Sequence, residues 1–331
     1  YIMNIRGGIL QKFFTFLSLL IICSLLLSNI STIPADSEKT FFYDPTEGIP
    51  PVSERSLDDL CNLVEPDDWW KNARFDPCQP QRNLPSSFDW RDFGGDPPIR
   101  DQSSCGGCWA FATTGALECN IKIKHNRTVD LSEQWLINCN TDGWNCDGGW
   151  FAHEYHMWKT DPCGATGAVL EQYVPYTALN DPCNCPYLHD YYINNWSYIG
   201  NDYSIPPVDS IKQAILDHGP VSVAITTNLA FQQYTGGVFN SHSSLPLNHA
   251  VVLVGWNDTQ GTNGVWLLRN SWGPAWGENG YMRIEYGCSS VGYAACYVNY
   301  TPSLLEFKLP NGVPEIITPR SPANFTLEII E

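Results

Sequence analysis

The sequence predicts an α+β body in which a helical lobe precedes a sheet lobe, and three observations carry that expectation. From residue 108 to about 124 there is no proline, and Trp109, Phe111, Ala112, Ala116 and Leu117 recur at near-helical spacing behind two glycines. A second helical block opens at Leu131-Ser132-Glu133, where the Ser132 hydroxyl can cap the first turn ahead of apolar Trp135, Leu136 and Ile137. Past Pro206, a short helix over 211–216 is followed by four apolar blocks, 221–225, 250–254, 265–268 and 281–285, which read as strands punctuated by glycine. Helices lead and strands trail, so two lobes are expected, and a cleft between lobes is a common place for a site.

Composition narrows the class. A chain of 331 residues has room for about two domains, and 43% hydrophobic with 13% aromatic residues can bury a sizeable core. The net charge is −17, from 18 Lys plus Arg against 35 Asp plus Glu, and no local basic block offsets it. That argues against nucleic acid or an anionic membrane as the main partner, because both demand clustered cations. Thirteen cysteines without a metal-cluster pattern point to a compartment in which disulfides persist.

The first residues agree with that compartment. Behind Arg6 and Lys12, with a start at Met3, the apolar run 13–27 is 15 residues long, short of the about 20 that a membrane span needs. Polar Ser28, Asn29, Ser31 and Thr32 follow, then Pro34-Ala35. Residues 1–35 therefore read as a secretory signal peptide cut after Ala35; the bulky Ile33 leaves an uncleaved membrane anchor as the alternative. Residues 36–83 are rich in Pro, Asp and Ser around Leu60, Leu63, Trp69, Trp70 and Phe75, and read as an appendage that docks onto something else. Cys61 and Cys78 could close a small loop within it. After Leu84-Pro85 the folded body begins and continues to about Tyr300, and 303–331 reads like the first strands of an appended β domain. Beyond the signal, Asn126, Asn195, Asn257, Asn299 and Asn324 head glycosylation sequons.

The chemistry concentrates in three places. In Asp101-Gln-Ser-Ser-Cys105-Gly-Gly-Cys108-Trp, the paired cysteines have three readings: a redox dithiol, half of a zinc site, or a disulfide cysteine beside a nucleophile. Zinc wants a second close pair, and Cys183-Asn-Cys185 has the wrong spacing; a redox dithiol wants a βαβ context that is missing here. A nucleophile gains from Cys108 heading a helix, since the positive end of the helix dipole stabilises a thiolate. It also needs an oriented base. Asn248-His249-Ala250 puts His249 at the start of a strand, and Arg269-Asn270-Ser271-Trp272-Gly273 offers an amide to hold the imidazole and an indole to shield it. His153 and His156 are three apart on an expected helix, a spacing that can bind metal, but without an evident third ligand they read as surface or packing residues near Trp150.

These blocks resemble the papain family of cysteine proteases from about Leu84 to Tyr300. Gln102, Cys108, His249 and Asn270 fall, in chain order, on that family's oxyanion donor, nucleophile, base and orienting amide. The base and the amide lie about 140 and about 160 residues beyond the nucleophile, near the family spacing. Pro85-Ser-Ser-Phe-Asp-Trp90-Arg resembles the mature start, Leu131-Ser-Glu-Gln134 a helix start, and Cys146-Asp-Gly148-Gly149 a cleft wall. Gly107 departs from the family's Ser or Ala, with no chemical consequence.

The resemblance implies a papain-like two-lobe fold over 84–302, with a helical N-terminal lobe, a β-barrel-like C-terminal lobe and the active-site cleft between them. It implies a secreted, monomeric endopeptidase acting on proteins or peptides through a Cys108–His249 thiolate–imidazolium pair, with no metal or organic cofactor. Gly106, Gly148 and Gly149 would run beside the substrate backbone, and Trp272 would cover the His249–Asn270 bond. Trp150, Phe151, Ala224, Leu247 and Ala250 would line an apolar pocket for the second residue before the cut. The segment 150–176 lacks the large loop that turns some relatives into exopeptidases. By the same resemblance Cys105 bridges to Cys146, and Cys139 to Cys183 or Cys185. Cys296 lacks its family partner, where Ser243 stands, and Cys119, Cys163 and Cys288 have no family counterpart. Residues 36–83 take the place of an inhibitory propeptide, or else of a plain linker. Two other classes stay open: a catalytically idle binding or adhesion protein of the same fold, and a thiol oxidoreductase using Cys105 and Cys108.

Overall fold

The computed structural model describes residues 51–80, 84–243 and 245–302. The expected signal peptide, residues 36–50 and the 303–331 extension lie outside the described residues. No described helix is long and apolar enough to cross a membrane.

The α+β order predicted from the sequence is present. A central helix, Cys108–His125, starts behind Gly107 and ends where Asn126 turns left-handed at φ 51°, its amide closing on the Lys122 carbonyl. Lys122, Lys124 and His125 in the last turn complement the negative end of the helix dipole. The next helix, Glu133–Cys139, is capped as expected, with the Trp135 amide donating to Ser132 Oγ at 2.9 Å.

Strands β1 (Phe75–Asp76) and β2 (Ser87–Asp89) precede the central helix. Strands β3 (Ala168–Val169) and β4 (His189–Tyr191) form a small antiparallel ribbon. Then come β5 (Ile193–Ile199), β6 (Val221–Ile225), β7 (Val238–Phe239), β8 (His249–Asn257), β9 (Val265–Arg269), β10 (Tyr281–Glu285) and β11 (Tyr293–Tyr300). The large sheet runs β1-β5-β11-β6-β8-β9-β10-β7, with β2 paired along β8. Its outermost pairs, β1 with β5 and β10 with β7, are parallel; the pairs between them are antiparallel. Gly255 permits the β2 pairing, because a Cβ there would sit 2.1 Å from the Phe88 carbonyl oxygen. The sequence reading omits β5 and β11, whose Asn, Ala and Cys positions interrupt the apolar pattern.

Strand β8 is buried from His249 to Trp256 because both faces are covered. Val251 and Leu253 pack with Ile211 and Ile215 of the helix Val208–His218. Ala250, Val252 and Val254, on the alternate face, pack with Cys108, Trp109 and Ala112 of the central helix. Strand β6 follows the same alternation and adds a bond from Ser222 Oγ to the Ala112 carbonyl at 2.8 Å.

Three disulfides are formed among the described residues. Cys105–Cys146 is as expected, and Cys139 takes Cys183. Cys185 does not take Cys139: it bridges to Cys163, 22 residues away, so Cys163 has a partner that the family resemblance does not provide. Cys61 and Cys78 do not close a loop; both are buried free thiols, Cys61 beside Thr227 and Cys78 beside Asp76. His153 and His156 lie in a short 3₁₀ turn and are fully buried, packed on Phe151 and Trp135 respectively, which agrees with the packing reading.

The lobes also share buried charge. Arg269 at the end of β9 donates to Asp96 at 3.1 Å and to the Pro97 and Pro98 carbonyls at 2.9 and 2.8 Å, and both charged side chains are at most 5% exposed. Replacing Arg269 with Ala leaves the Asp96 carboxylate buried without its cation, so urea unfolding should show a loss of about 3–5 kcal/mol. A loss below about 1 kcal/mol would show that water reaches Asp96 and replaces the pair.

Candidate active site

Cys108 occupies the first position of the central helix and is fully buried. Its thiol is met by the backbone amides of Ala250, Asn62 and Trp109 and by its own. The Cys105–Cys146 bridge and the Gly106 amide, bonded to the Cys146 carbonyl at 2.9 Å, join the loop before this helix to the wall at 146–149. A Cβ on Gly106 would sit 2.5 Å from the Cys146 carbonyl oxygen, and one on Gly149 would sit 2.6 Å from the Trp109 indole. Close approach of wall, helix and bound chain is therefore what these glycines supply.

His249 begins β8, and the Ala250 amide beside it reaches the Cys108 thiol. The histidine is fully buried, with Nε2 2.8 Å from Asn270 Oδ1. An amide oxygen accepts only, so Nε2 carries the proton and Nδ1 presents a lone pair. Nδ1 has no hydrogen-bond partner among the described residues. Asn270 Oδ1 is itself held by the Ser271 amide at 2.9 Å. Trp272, fully buried, lies 4.8 Å from the imidazole centroid and packs edge-on to Phe231 and Trp276. The indole thus packs against the imidazole that Asn270 holds.

Gln102 is also buried. Its Oε1 accepts from Ser271 Oγ at 2.7 Å, and its Nε2 donates to the Cys105 carbonyl at 2.9 Å and to the Leu60 carbonyl at 3.0 Å. Leu60 belongs to the leading segment, which lies in the cleft. Asn248 accepts from the Leu63 amide at 3.0 Å, Gly149 accepts from the Val64 amide at 2.9 Å, and the Gly149 amide donates back to Asn62 at 3.3 Å. The resulting bridge, Leu63 with Gly149, is parallel. A Cβ on Gly148 would meet the Val64 side chain at 2.4 Å.

Trp150, Phe151, Ala224, Leu247 and Ala250 do share one apolar cluster, and Leu63 joins it. Trp69 of the leading segment covers that cluster, 5.7 Å from Trp150 and 4.4 Å from Tyr198 between centroids. Tyr198 and Tyr293 are cluster residues that the sequence reading missed. Trp150 Nε1 donates to Tyr198 Oη at 2.9 Å, but nothing local to either residue signals a partner 48 positions away. At the segment's start, Arg55 makes a two-pronged bond to Asp101 at 2.7 and 3.0 Å, and Gln232 donates to the Val52 and Arg55 carbonyls.

A two-lobed α+β protein with a cysteine heading a buried helix and a strand-borne histidine held by an amide belongs to the class of thiol-dependent peptidase folds. The papain family cysteine protease pattern matches residues 84–303, and the chain belongs to that family. It is 36% identical to fruit bromelain of Ananas comosus over 210 residues, covering 62% of this chain and 56% of that one. The chain thus spans little more than half the length of that relative. The solved digestive procathepsin L2 proteinase from Tenebrio molitor larval midgut is similar with TM-score 0.65 and 28% identity, over 73% of this chain and 79% of that one. The bromelain protease from Ananas comosus, solved in complex with the E64 inhibitor, gives TM-score 0.56 and 30% identity over 65% of this chain and 99% of that one.

Electrostatics in this covered state differ from the ion pair expected of the sequence. Burial pushes the Cys108 thiol up to about 11, against the lowering effect of the surrounding amides. Burial also pushes His249 down to about 4, with the Asn270 bond working the other way. Between those values both groups are neutral. A thiol raised by burial should fall once the leading segment leaves and solvent and the helix end act on it. Titrating thiolate absorbance, with Cys108→Ala as the blank, should show Cys108 ionising near pH 11 in the uncut chain. After removal of the segment before Leu84 it should ionise below the free-thiol value of about 8.5. Equal titration in both forms would show that the segment does not set the ionisation.

Proposed function

We propose that the chain is the latent form of a secreted cysteine endopeptidase, in which 84–302 is the catalytic domain and 36–83 an inhibitory propeptide. The carrying observation is the buried Cys108 thiol, ringed by amides at a helix start, beside a His249 whose Nε2 is held by Asn270 and whose Nδ1 is otherwise unbonded. The presence of Gln102, Cys108, His249 and Asn270 together favours catalysis over an idle binding protein. The Cys105–Cys146 bridge leaves Cys105 without a thiol for dithiol redox chemistry.

Catalysis begins when the leading segment leaves and the Cys108 proton passes to His249. The thiolate attacks the carbonyl carbon of the scissile peptide, and the oxyanion takes hydrogen bonds from Gln102 Nε2 and the Cys108 amide. The C–N bond breaks as the imidazolium gives its proton to the departing amine. Water then attacks the thioester with His249 as base, which releases the acid and regenerates the thiol. The Leu60 carbonyl, bonded to Gln102 Nε2, stands in the covered form for the substrate oxygen. The Asn62 amide of the segment also reaches the thiol. The three disulfides are consistent with an extracytoplasmic location.

A peptidyl epoxide applied to chain cut near Leu84 should label Cys108 alone, located by mass mapping. In the same enzyme Gln102→Ala should lower kcat by about 10²–10³ through loss of one oxyanion donor. Label on Cys105, or full activity of the uncut chain toward peptides, would overturn the assignment.

Leu63 of the leading segment shares an apolar cluster with Trp150, Phe151, Ala224, Leu247 and Ala250, which supports reading those five as an apolar pocket for the second residue before the cut. Peptides with Leu, Val or Phe two residues before the cut should therefore be preferred over Arg or Glu. Among apolar side chains discrimination should be about 10–200-fold per methylene. A profiled library that selects Arg at that position would refute the apolar pocket.

A further inference from the structure

Away from the cleft, Asp76, Cys78 and His218 converge: a carboxylate oxygen, a thiol sulfur and a ring nitrogen all lie within 4.8 Å of one another. They come from two separate parts of the chain. Asp76 ends β1 in the leading segment, with Cys78 two residues on, and His218 ends the helix Val208–His218 of the body. Cys78 is buried, and the other two are half-buried.

Neighbouring groups hold each side chain in place. The Cys78 amide donates to Asp76 Oδ1 at 3.0 Å, and the Tyr297 hydroxyl donates to Oδ2 at 2.7 Å. The His218 ring stacks on Tyr297 with centroids 3.7 Å apart, and Nδ1 lies 2.9 Å from Asn299 Oδ1. An imidazole fixed by an amide oxygen, beside a carboxylate fixed by two donors, is the outer-contact pattern that orients metal ligands.

We infer that Asp76, Cys78 and His218 bind a zinc ion, with water as the fourth ligand, and that the ion ties the leading segment to the body. Sulfur, nitrogen and carboxylate oxygen together suit zinc better than the oxygen-seeking Mg²⁺ or Ca²⁺. Tetrahedral bonds of about 2.0–2.3 Å place ligand atoms roughly 3.5 Å apart, so the site closes by side-chain movement of about an ångström. Binding releases the Cys78 proton to solvent, and the thiolate and carboxylate balance the ion's two positive charges. The inference stands apart from the peptidase reading, because no turnover enters its test.

The test uses the full chain with Cys108→Ala, which removes the cleft thiol and any self-cutting. Cobalt(II) titration should produce a thiolate-to-cobalt charge-transfer band that zinc abolishes by displacement. Cys78→Ser should remove the band, and His218→Asn should weaken zinc binding at least about tenfold. Should Cys78→Ser fail to fold, alkylation of the unsubstituted chain decides: zinc should slow modification of Cys78, mapped by mass, at least tenfold. A band that survives Cys78→Ser, or alkylation of Cys78 that zinc leaves unchanged, would overturn the site. Zinc should also slow hydrogen exchange in residues 75–80, and unchanged exchange at saturating zinc would overturn the tie.

Discussion

The contact on which the rest of this molecule depends is the packing of the Cys108–His125 helix against β8. Cys108 heads the helix and His249 begins the strand, about 140 residues apart in sequence, and the burial of one element on the other fixes where both stand. The alternation of β8 does the work: Ala250, Val252 and Val254 face the helix, while Val251 and Leu253 face the opposite layer. A slip of one residue would exchange the two sets and bury each against the wrong layer. Small side chains on both partners, Ala112 on the helix and Ala250 on the strand, keep the two close.

Such deep burial has an electrostatic cost that the fold meets with paired groups. Glu118 on the central helix is fully buried, and burial pushes it up to about 7 in spite of Arg100 and Arg269. Its Oε1 accepts from the Leu131 amide, while Thr114 donates to Glu133 at 2.7 Å. Arg269 is satisfied by Asp96 and two proline carbonyls. These groups sit at the junction of helix and sheet, where an unpaired charge would cost several kcal/mol.

Burial also sets the ionisation of the two groups in the covered cleft. The leading segment excludes solvent from Cys108 and His249, and desolvation alone favours the neutral form of each. It holds the cleft through backbone hydrogen bonds at residues 60–64, which demand few particular side chains. Anchors flank that stretch: Arg55 on Asp101 before it, Trp69 on Trp150 and Tyr198 after it. In the covered form burial thus favours the neutral form of both groups, against the amides at the thiol and the Asn270 bond at the imidazole.

Local chemistry was legible in the sequence because it is written locally. The helix at Cys108, the Ser132 cap, the strands at 221–225 and 281–285 and the Asn270–Trp272 pair each depend on neighbours within a few positions. The Cys105–Cys146 bridge followed from family resemblance. What the tertiary structure alone decided are choices between distant partners: Cys163 for Cys185, Tyr198 for Trp150, and β5 and β11 as sheet strands despite their mixed patterns. Cys61 and Cys78, close enough in sequence to pair, were drawn to Thr227 and Asp76, because the segment carrying them is extended across the body and not folded on itself. Short-range propensity depends on residues a few positions apart, whereas pairing across the chain depends on which surfaces meet once the core is buried.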